Sequence, residues 1–232
     1  WDKQSFNMAK TKIELFEDRL IEEGLTDEKL QEFEKMLRRS GDDWNRFSHC
    51  YITAYRFPVD RVEEAVKLIK FGNERYASEK SYLVSSNQML GSIYRRACLY
   101  KEAYDTYLQI YPDIGSNKGG FPWCLLEAKM YADNFNYSQE LEEYIEHCEK
   151  ENVISRAFRK NQFVEAMAGY IVAEHYGDMA RMASNYEIIC ELLAPDYKGP
   201  LEQFLNKHRI EEEIEINDDC MAFLKNISKR KC

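Results

Sequence analysis

Apolar residues recur three and four positions apart along most of the chain, which is the spacing of amphipathic helices. The first such stripe runs from Phe6 to Ile21 and ends before Gly24, a residue type that commonly terminates helices. Thr26 is then placed as the N-cap of a second helix, and the turn-forming residues 40–43 close that helix. The pattern predicts an N-terminal pair of helices, followed by further helices of the same kind.

One stretch indicates how two later helices pack. Leu90 and Tyr94 lie four residues apart on one face of a predicted helix, with Gly91 beside them. Because glycine has no side chain, a second helix can approach closely at this point. Ala103, on the next predicted helix, is the small residue expected to meet the gap.

The order of residues in this stretch resembles the tetratricopeptide repeat, a pair of antiparallel helices that stacks on its neighbours. Asn87 stands where that family usually has Trp, and Ile110 stands where it usually has Ala. The resemblance implies an all-α fold, built as a right-handed stack of antiparallel helix pairs with ten to twelve helices in all. The residues that carry the resemblance are Leu90, Gly91, Ser92, Ile93, Tyr94, Tyr100, Ala103, Tyr107 and Ile110.

Sliding this pattern along the chain predicts four helix pairs. They begin near Trp44, Asn87, Trp123 and Val164, at intervals of 43, 36 and 41 residues, whereas a regular tetratricopeptide array advances by about 34. The array is therefore irregular. We predict a single helical-repeat domain over residues 1–232, with N-terminal capping helices in 1–40, four pairs in 41–195 and C-terminal capping helices in 196–232.

The second helix of the first pair is predicted to start at Asp60 and to carry Ala65, Ile69 and Gly72.

Two details concern the packing of the later pairs. The twelve-residue interval between Gly91 and Ala103 recurs between Ala168 and Ala180, which supports repetition without reference to any family. In the third pair Glu127 stands where the family has a small residue, so looser packing is expected there.

Composition agrees with a helical fold and excludes several classes of function. With 10 Gly and 5 Pro, the chain has too few turn-forming residues for an all-β fold of 232 residues. A net charge of −9 would repel a nucleic-acid backbone, so we predict no nucleic-acid binding. No run approaches the roughly 20 apolar residues of a membrane span, and we predict no membrane partner. The seven cysteines lack paired spacing, which favours reduced thiols and a cytoplasmic location.

Motifs for metal binding and catalysis are absent from the sequence. There is no C-x-x-C, H-x-x-x-H or H-E-x-x-H pattern, and we predict no metal and no cofactor. The best arrangement for acid–base chemistry is Glu174-His175-Tyr176, but a lone histidine near the end of a helix is a weak signal. An enzyme is therefore the least favoured class, and the prediction is a non-enzymatic protein.

Surface recognition is the favoured function, because tetratricopeptide proteins bind partners on the concave face lined by the first helix of each pair. The resemblance places the groove positions of the first two pairs on Asn45, Arg46, His49 and Thr53, and on Gln88, Met89, Ser92, Arg95 and Arg96. We predict that Asn45, Arg46, His49, Ser92, Arg95 and Arg96 bind a protein partner. The basic residues among them suit acidic side chains or a carboxylate, or equally pair with carboxylates of their own chain.

A second hypothesis assigns recognition to an acidic surface near the C-terminus. Glu211, Glu212, Glu213 and Glu215 concentrate negative charge there and would steer a basic protein toward the chain. By analogy with small acidic immunity proteins, the chain would then be a stoichiometric inhibitor of a basic toxin or nuclease domain. A homodimer is compatible with either hypothesis, since aromatic-rich repeat surfaces often self-associate.

Overall fold

A computed structural model describes residues 10–111, 121–150, 157–195, 197, 199, 201–207, 214 and 216–229. All regular secondary structure in these residues is helical, which confirms the all-α prediction. The twelve α-helices of the described residues are α1 (Lys12–Glu23), α2 (Asp27–Leu37), α3 (Asp43–Tyr55), α4 (Val62–Tyr76), α5 (Lys80–Arg96), α6 (Tyr100–Ile110), α7 (Phe121–Ala132), α8 (Gln139–Glu149), α9 (Arg159–Tyr176), α10 (Met179–Leu193), α11 (Leu201–Lys207) and α12 (Asp218–Lys229).

The chain divides into two compact units, an N-terminal unit (Trp1–Ala97) and a C-terminal unit (Cys98–Cys232). The boundary falls in the short link between α5 and α6. It therefore separates the two helices of the pair that most resembles a tetratricopeptide repeat. The single domain over 1–232 stays a prediction.

Helix ends in the N-terminal unit follow the capping signals of the sequence. The Thr26 hydroxyl accepts a hydrogen bond from the backbone N–H of Lys29 at 3.3 Å, which confirms Thr26 as the N-cap of α2. Asp42 caps α3 in the same way, and Gly24 ends α1 at φ +98°, a conformation that favours glycine. Phe6, where the predicted stripe starts, lies outside the described residues.

The α3, α4 and α5 helices pack together, with α3 and α5 running in the same direction. Near the starts of α3 and α5, the ring centre of Trp44 lies 4.9 Å from that of Tyr82. At their end Arg96 donates to the backbone carbonyl oxygens of Tyr55 and Phe57. The α4 helix runs in the opposite direction and begins at Val62, after a 3₁₀ turn over Val59–Arg61. The sequence had placed its start at Asp60.

Small residues allow a close approach of α3 and α4. A Cβ atom added to Gly72 would lie 2.8 Å from the Cβ of Cys50, so the α4 backbone is held against this side chain. Ala65, on the same face of α4, is buried as well. Both residues were predicted on the second helix of this pair. The buried hydrophobic residues that form the core of the N-terminal unit are Phe16, Leu20, Leu25, Phe33, Leu37, Phe47, Cys50, Ala54, Phe57, Ala65, Leu68, Ile69, Tyr76 and Ile93.

In the C-terminal unit each of α6, α7 and α8 packs on the next, and α9 packs on α7, α8 and α10. Ring contacts give the relative direction of α6 and α7. Tyr100 stacks on Tyr131 at 4.1 Å, and Tyr107 meets Phe121 edge to face at 5.3 Å, so α6 and α7 are antiparallel. The α11 and α12 helices pack on each other within the segment predicted as C-terminal caps.

Packing in the later pairs differs from the sequence prediction in two places. Glu127 is 5% exposed, and its Oε1 lies 3.5 Å from the Nζ of Lys160, so the residue is enclosed in the packed unit. A close approach of α9 and α10 occurs at Gly169, whose added Cβ would lie 2.9 Å from the Oδ1 of Asn185. Ala180, expected to meet Ala168, is instead exposed.

Candidate protein-binding face

Two of the predicted groove residues on α3, Asn45 and Arg46, lie at its first turn. The Asn45 side-chain amide donates to the Asp42 carboxylate at 2.8 Å and is exposed. The Arg46 guanidinium forms an ion pair with Asp43 at 2.9 Å. Its Nε also donates to the Leu37 carbonyl oxygen at 3.2 Å, which joins α3 to the end of α2. Arg46 therefore completes the turn between these helices.

His49 is directed toward α1. Its Nδ1 lies 2.6 Å from the Oε1 of Glu17, a buried carboxylate. Thr53, one turn further along, is fully buried and so is not available to a partner. Of the four predicted groove positions of the first pair, Thr53 therefore lies in the core, and His49 is directed toward α1.

On α5 the predicted residues have different environments. The Ser92 hydroxyl donates to the Gln88 carbonyl oxygen of its own helix at 3.0 Å. Arg96 crosses to α3, where its guanidinium carbon lies 4.6 Å from the centre of the Tyr55 ring. Arg95 is half-buried. The contacts of Arg46, His49 and Arg96 favour the alternative that these side chains join the helices of their own chain.

A different set of residues forms an exposed surface on α3. Asn45, Ile52 and Tyr55 are seven and three residues apart, so they lie on one helical face, opposite the buried residues of this helix. Ile52 is 49% exposed and Tyr55 is 40% exposed. Because Arg96 stacks on Tyr55, the outward side of α5 adjoins this surface. We call the combined surface the outer face, made of Asn45, Ile52, Tyr55, Gln88, Ser92 and Arg96.

Ile52 and Tyr55 are not among the residues predicted from the sequence, although a signal is present. An apolar residue on the side of a helix opposite its buried stripe is a candidate contact for another molecule. The predicted site rests on the groove positions of the family and on basic residues, and neither criterion selects an exposed isoleucine.

Ion pairs lie beside the outer face, between α1 and α3. Arg56, the residue after Tyr55, donates to the Asp18 carboxylate at 2.5 Å. Hydrogen bonds from Lys10 and Arg56 lower the pKa of Asp18, and hydrogen bonds from Thr11 lower the pKa of Glu14. These carboxylates are consequently ionised at neutral pH. The border of the face is charged, while its centre is apolar.

In the candidate acid–base group, His175 and Tyr176 both pack against the aromatic ring of Tyr137. The ring of His175 stacks on that of Tyr137, with 3.6 Å between the ring centres. The hydroxyl groups of Tyr137 and Tyr176 lie 3.2 Å apart, and hydrogen bonds to Tyr137 and Glu142 raise the pKa of Tyr176. A phenol with a raised pKa is a poor source of phenolate at neutral pH.

Within the described residues, no group of three or more His, Cys, Asp or Glu side chains could hold a metal ion. In the same part of the chain, no helix combines the length and apolarity needed to cross a membrane. Burial raises the pKa of the Cys50 thiol, and it raises the pKa of Cys220 to about 12. The acidic surface formed by Glu211, Glu212, Glu213 and Glu215 lies outside the described residues.

Comparison of the chain with protein-family models, with curated proteins and with solved structures gave no match. The likeness to tetratricopeptide repeats therefore stays a resemblance, carried by the residues of one predicted pair.

Proposed function

We propose that this chain is a non-enzymatic protein-interaction module that binds a segment of a partner protein on the outer face of α3 and α5. The observation that carries the proposal is the exposure of Ile52 and Tyr55 beside the Arg96 guanidinium. Tyrosine and arginine are enriched among the residues that dominate binding energy at protein interfaces. An apolar centre with a polar border is the usual composition of such interfaces.

The contacts of Arg96 suit it to recognition as well as to structure. Its guanidinium is already held by the Tyr55 ring and by two backbone carbonyl oxygens. A side chain ordered before binding loses little conformational entropy when a partner arrives. Its charge favours an acidic side chain of the partner, while Gln88 and Asn45 offer hydrogen bonds to the partner's backbone.

We also propose that the helices of the N-terminal unit form a right-handed stack of antiparallel pairs. His49 of α3 contacts Glu17 of α1, and Arg61, which follows α3 in the chain, contacts the Ile21 carbonyl oxygen nearer the end of α1, which supports a parallel course for α1 and α3. Since α5 also runs parallel to α3, three first helices would stand side by side. The outer face would then be part of their shared surface.

A reducing, cytoplasmic environment is part of the proposal. Cys50, Cys98, Cys190 and Cys220 form no disulfide bond. Disulfides are rare in the cytosol and common in secreted proteins, so free thiols support this location.

The test compares two variants with the same change of charge. Ile52→Glu places a carboxylate in the centre of the outer face, and Val59→Glu places one at a similarly exposed position, 53% exposed, on the 3₁₀ turn outside that face. Each variant and the wild type would be used as bait in the native organism's extract, with captured proteins identified by mass spectrometry. Circular dichroism melting would establish that both variants fold.

We expect one protein to be captured by the wild type and by Val59→Glu, but not by Ile52→Glu. If the three baits capture the same proteins, the outer face is not the binding site. Light scattering of the purified proteins tests whether the partner is a second copy of this chain. A dimer that becomes a monomer only in Ile52→Glu would assign the outer face to self-association.

A further inference from the structure

A groove of about 560 Å³ lies between α9 and α10 in the C-terminal unit. Its floor includes Ala166 of α9 and Ile188 and Leu192 of α10, of which Ala166 is buried and Ile188 is 39% exposed. Ile188 and Leu192 are four residues apart and therefore lie on one face of α10. The floor is an apolar strip that runs along the helix axis.

Carboxylates stand on both sides of this strip. Glu165 belongs to α9 and Glu191 to α10, and no Lys or Arg is among the described residues that line the groove. Arg159, beside the groove, donates from Nε to the carbonyl oxygen of the lining residue Leu192 at 3.0 Å. The lining of the groove thus combines apolar side chains with two carboxylates.

We propose that this groove binds a basic amphipathic helix of a partner protein. An amphipathic helix presents apolar side chains at three- and four-residue spacing, which matches the strip formed by Ile188 and Leu192. Lysine or arginine side chains flanking its apolar stripe would meet Glu165 and Glu191. The net charge of −9 would steer such a partner toward the chain.

The dimensions agree with a short helical segment. The lining residues of α10 extend from Asn185 to Leu192, which corresponds to about 10 Å, or two helical turns, at 1.5 Å per residue. Phe158, next to the lining residue Ala157, is 60% exposed and would add an aromatic contact at one end. The inference concerns a second surface and does not rest on the outer face.

The test uses two fluorescein-labelled peptides of 14 residues, one an amphipathic helix of Leu and Lys, the other with every Lys replaced by Glu. Binding to the full chain would be measured by fluorescence anisotropy. The groove variant is Ile188→Ser/Glu191→Lys, which leaves Glu165 and its 3.4 Å hydrogen bond from Trp123 Nε1 in place. The matched control is Val59→Ser/Glu63→Lys, which replaces a β-branched apolar residue by Ser and a Glu by Lys at exposed positions of the N-terminal unit.

We expect the Lys peptide to bind wild type and the control with similar affinity, at least tenfold more tightly than the groove variant. The Glu peptide should not bind. If both variants bind the Lys peptide equally less tightly than wild type, the binding is general charge attraction and the proposal is overturned. Unchanged affinity of the groove variant, or no binding of the Lys peptide to wild type, would also overturn it. Displacement of the peptide by equimolar spermine would assign the groove to small polycations, and would also overturn it.

The same assay separates this inference from the proposed function. Ile52→Glu changes only the outer face, so it should bind the Lys peptide as wild type does. Loss of a natural partner by Ile52→Glu with unchanged peptide binding would show that the two surfaces act separately.

Discussion

The guanidinium of Arg61 donates from Nε and Nη2 to the two carboxylate oxygens of Glu64, each at 2.6 Å. Arg61 also donates to the Ile21 carbonyl oxygen at 2.5 Å, and Glu64 accepts the backbone N–H of Leu25 at 2.5 Å. The last carbonyl groups of a helix have no partner within that helix. This pair therefore completes the end of α1 from the start of α4.

Replacing Glu64 by Gln should destabilise the N-terminal unit by about 1–2 kcal/mol, because the variant loses the charge-assisted hydrogen bonds from Arg61 and Leu25. The free energy of unfolding would be measured by urea denaturation. Glu63→Gln, an exposed change on the same helix, is the control and should have little effect. Equal losses in the two variants would contradict a structural role for the pair.

The contribution of Glu64 should also depend on pH. Hydrogen bonding to Arg61, followed by the Leu25 N–H, lowers the pKa of Glu64 in the folded state. A carboxyl group of this kind stabilises the fold fully above its unfolded pKa, about 4.3, and the stabilisation disappears as the pH falls through the lower folded pKa. The difference between wild type and Glu64→Gln should therefore be constant from pH 7 to about 5 and shrink below about 4.3. A difference that persists at pH 2 would refute this assignment.

Two glycine substitutions should differ in outcome, although both lie within helices. Gly72→Ala brings a Cβ to 2.8 Å from the Cβ of Cys50, which cannot rotate away. Overpacking of this kind costs about 1–3 kcal/mol, against a gain of about 1 kcal/mol from helix propensity. Because the contact is between two Cβ atoms, we expect a cost near the upper end and a net loss approaching about 2 kcal/mol in thermal or urea unfolding.

Gly169→Ala provides the comparison. Its new Cβ would meet the end of the Asn185 side chain, which can rotate, so the propensity gain should roughly offset the cost. A Gly72→Ala variant as stable as Gly169→Ala would show that α3 and α4 can separate without cost.

The pair of Glu127 and Lys160 should show energetic coupling. Glu127 is buried, and removing a cation near a buried carboxylate leaves charge that is poorly compensated. Lys160→Met should therefore destabilise by about 1–3 kcal/mol, and the same change in a Glu127→Gln background should cost less. A double-mutant cycle measures the difference, and additive effects would mean that the two charges do not interact.

The cysteines should differ in reactivity with iodoacetamide. Cys98 is exposed, while Cys50 and Cys220 are buried, with raised pKa values. Since the thiolate is the reacting form, Cys98 should be alkylated in the native protein, and the two buried thiols only after denaturant is added. Mass spectrometry of peptides from a time course would measure the rate of alkylation of each cysteine. Native alkylation of Cys50 at the rate of Cys98 would argue against the packing of α3 on α4.

Helix positions could be predicted well where the signal is local. Thr26, Asp42 and Gly24 act within one helical turn, and each marks a helix end in the structure. The start of α4 was displaced by two residues, because the 3₁₀ turn after Pro58 has no distinctive sequence signal. Glu127 was expected to loosen its pair, yet a lysine from a helix more than thirty residues away accompanies it in the packed unit.

The candidate site could be predicted only in part. The sequence directed attention to α3 and α5, but it selected Arg46 and His49, which bind neighbouring helices. It passed over Ile52 and Tyr55, because exposure of an apolar side chain depends on which neighbours leave it uncovered. The groove between α9 and α10 had no sequence signal at all, since its walls come from two helices.

The sequence by itself determined that the chain is helical, where several helices begin and end, and that the molecule is acidic. These properties depend on the side chains within a few neighbouring residues, or on composition alone. Only the tertiary structure decided which face of each helix stays exposed, where Gly72 and Gly169 allow close approach, and which carbonyl groups Arg61 and Arg96 reach. Those features depend on how each helix is rotated against its neighbours, and that rotation results from many weak contacts between residues far apart in the chain.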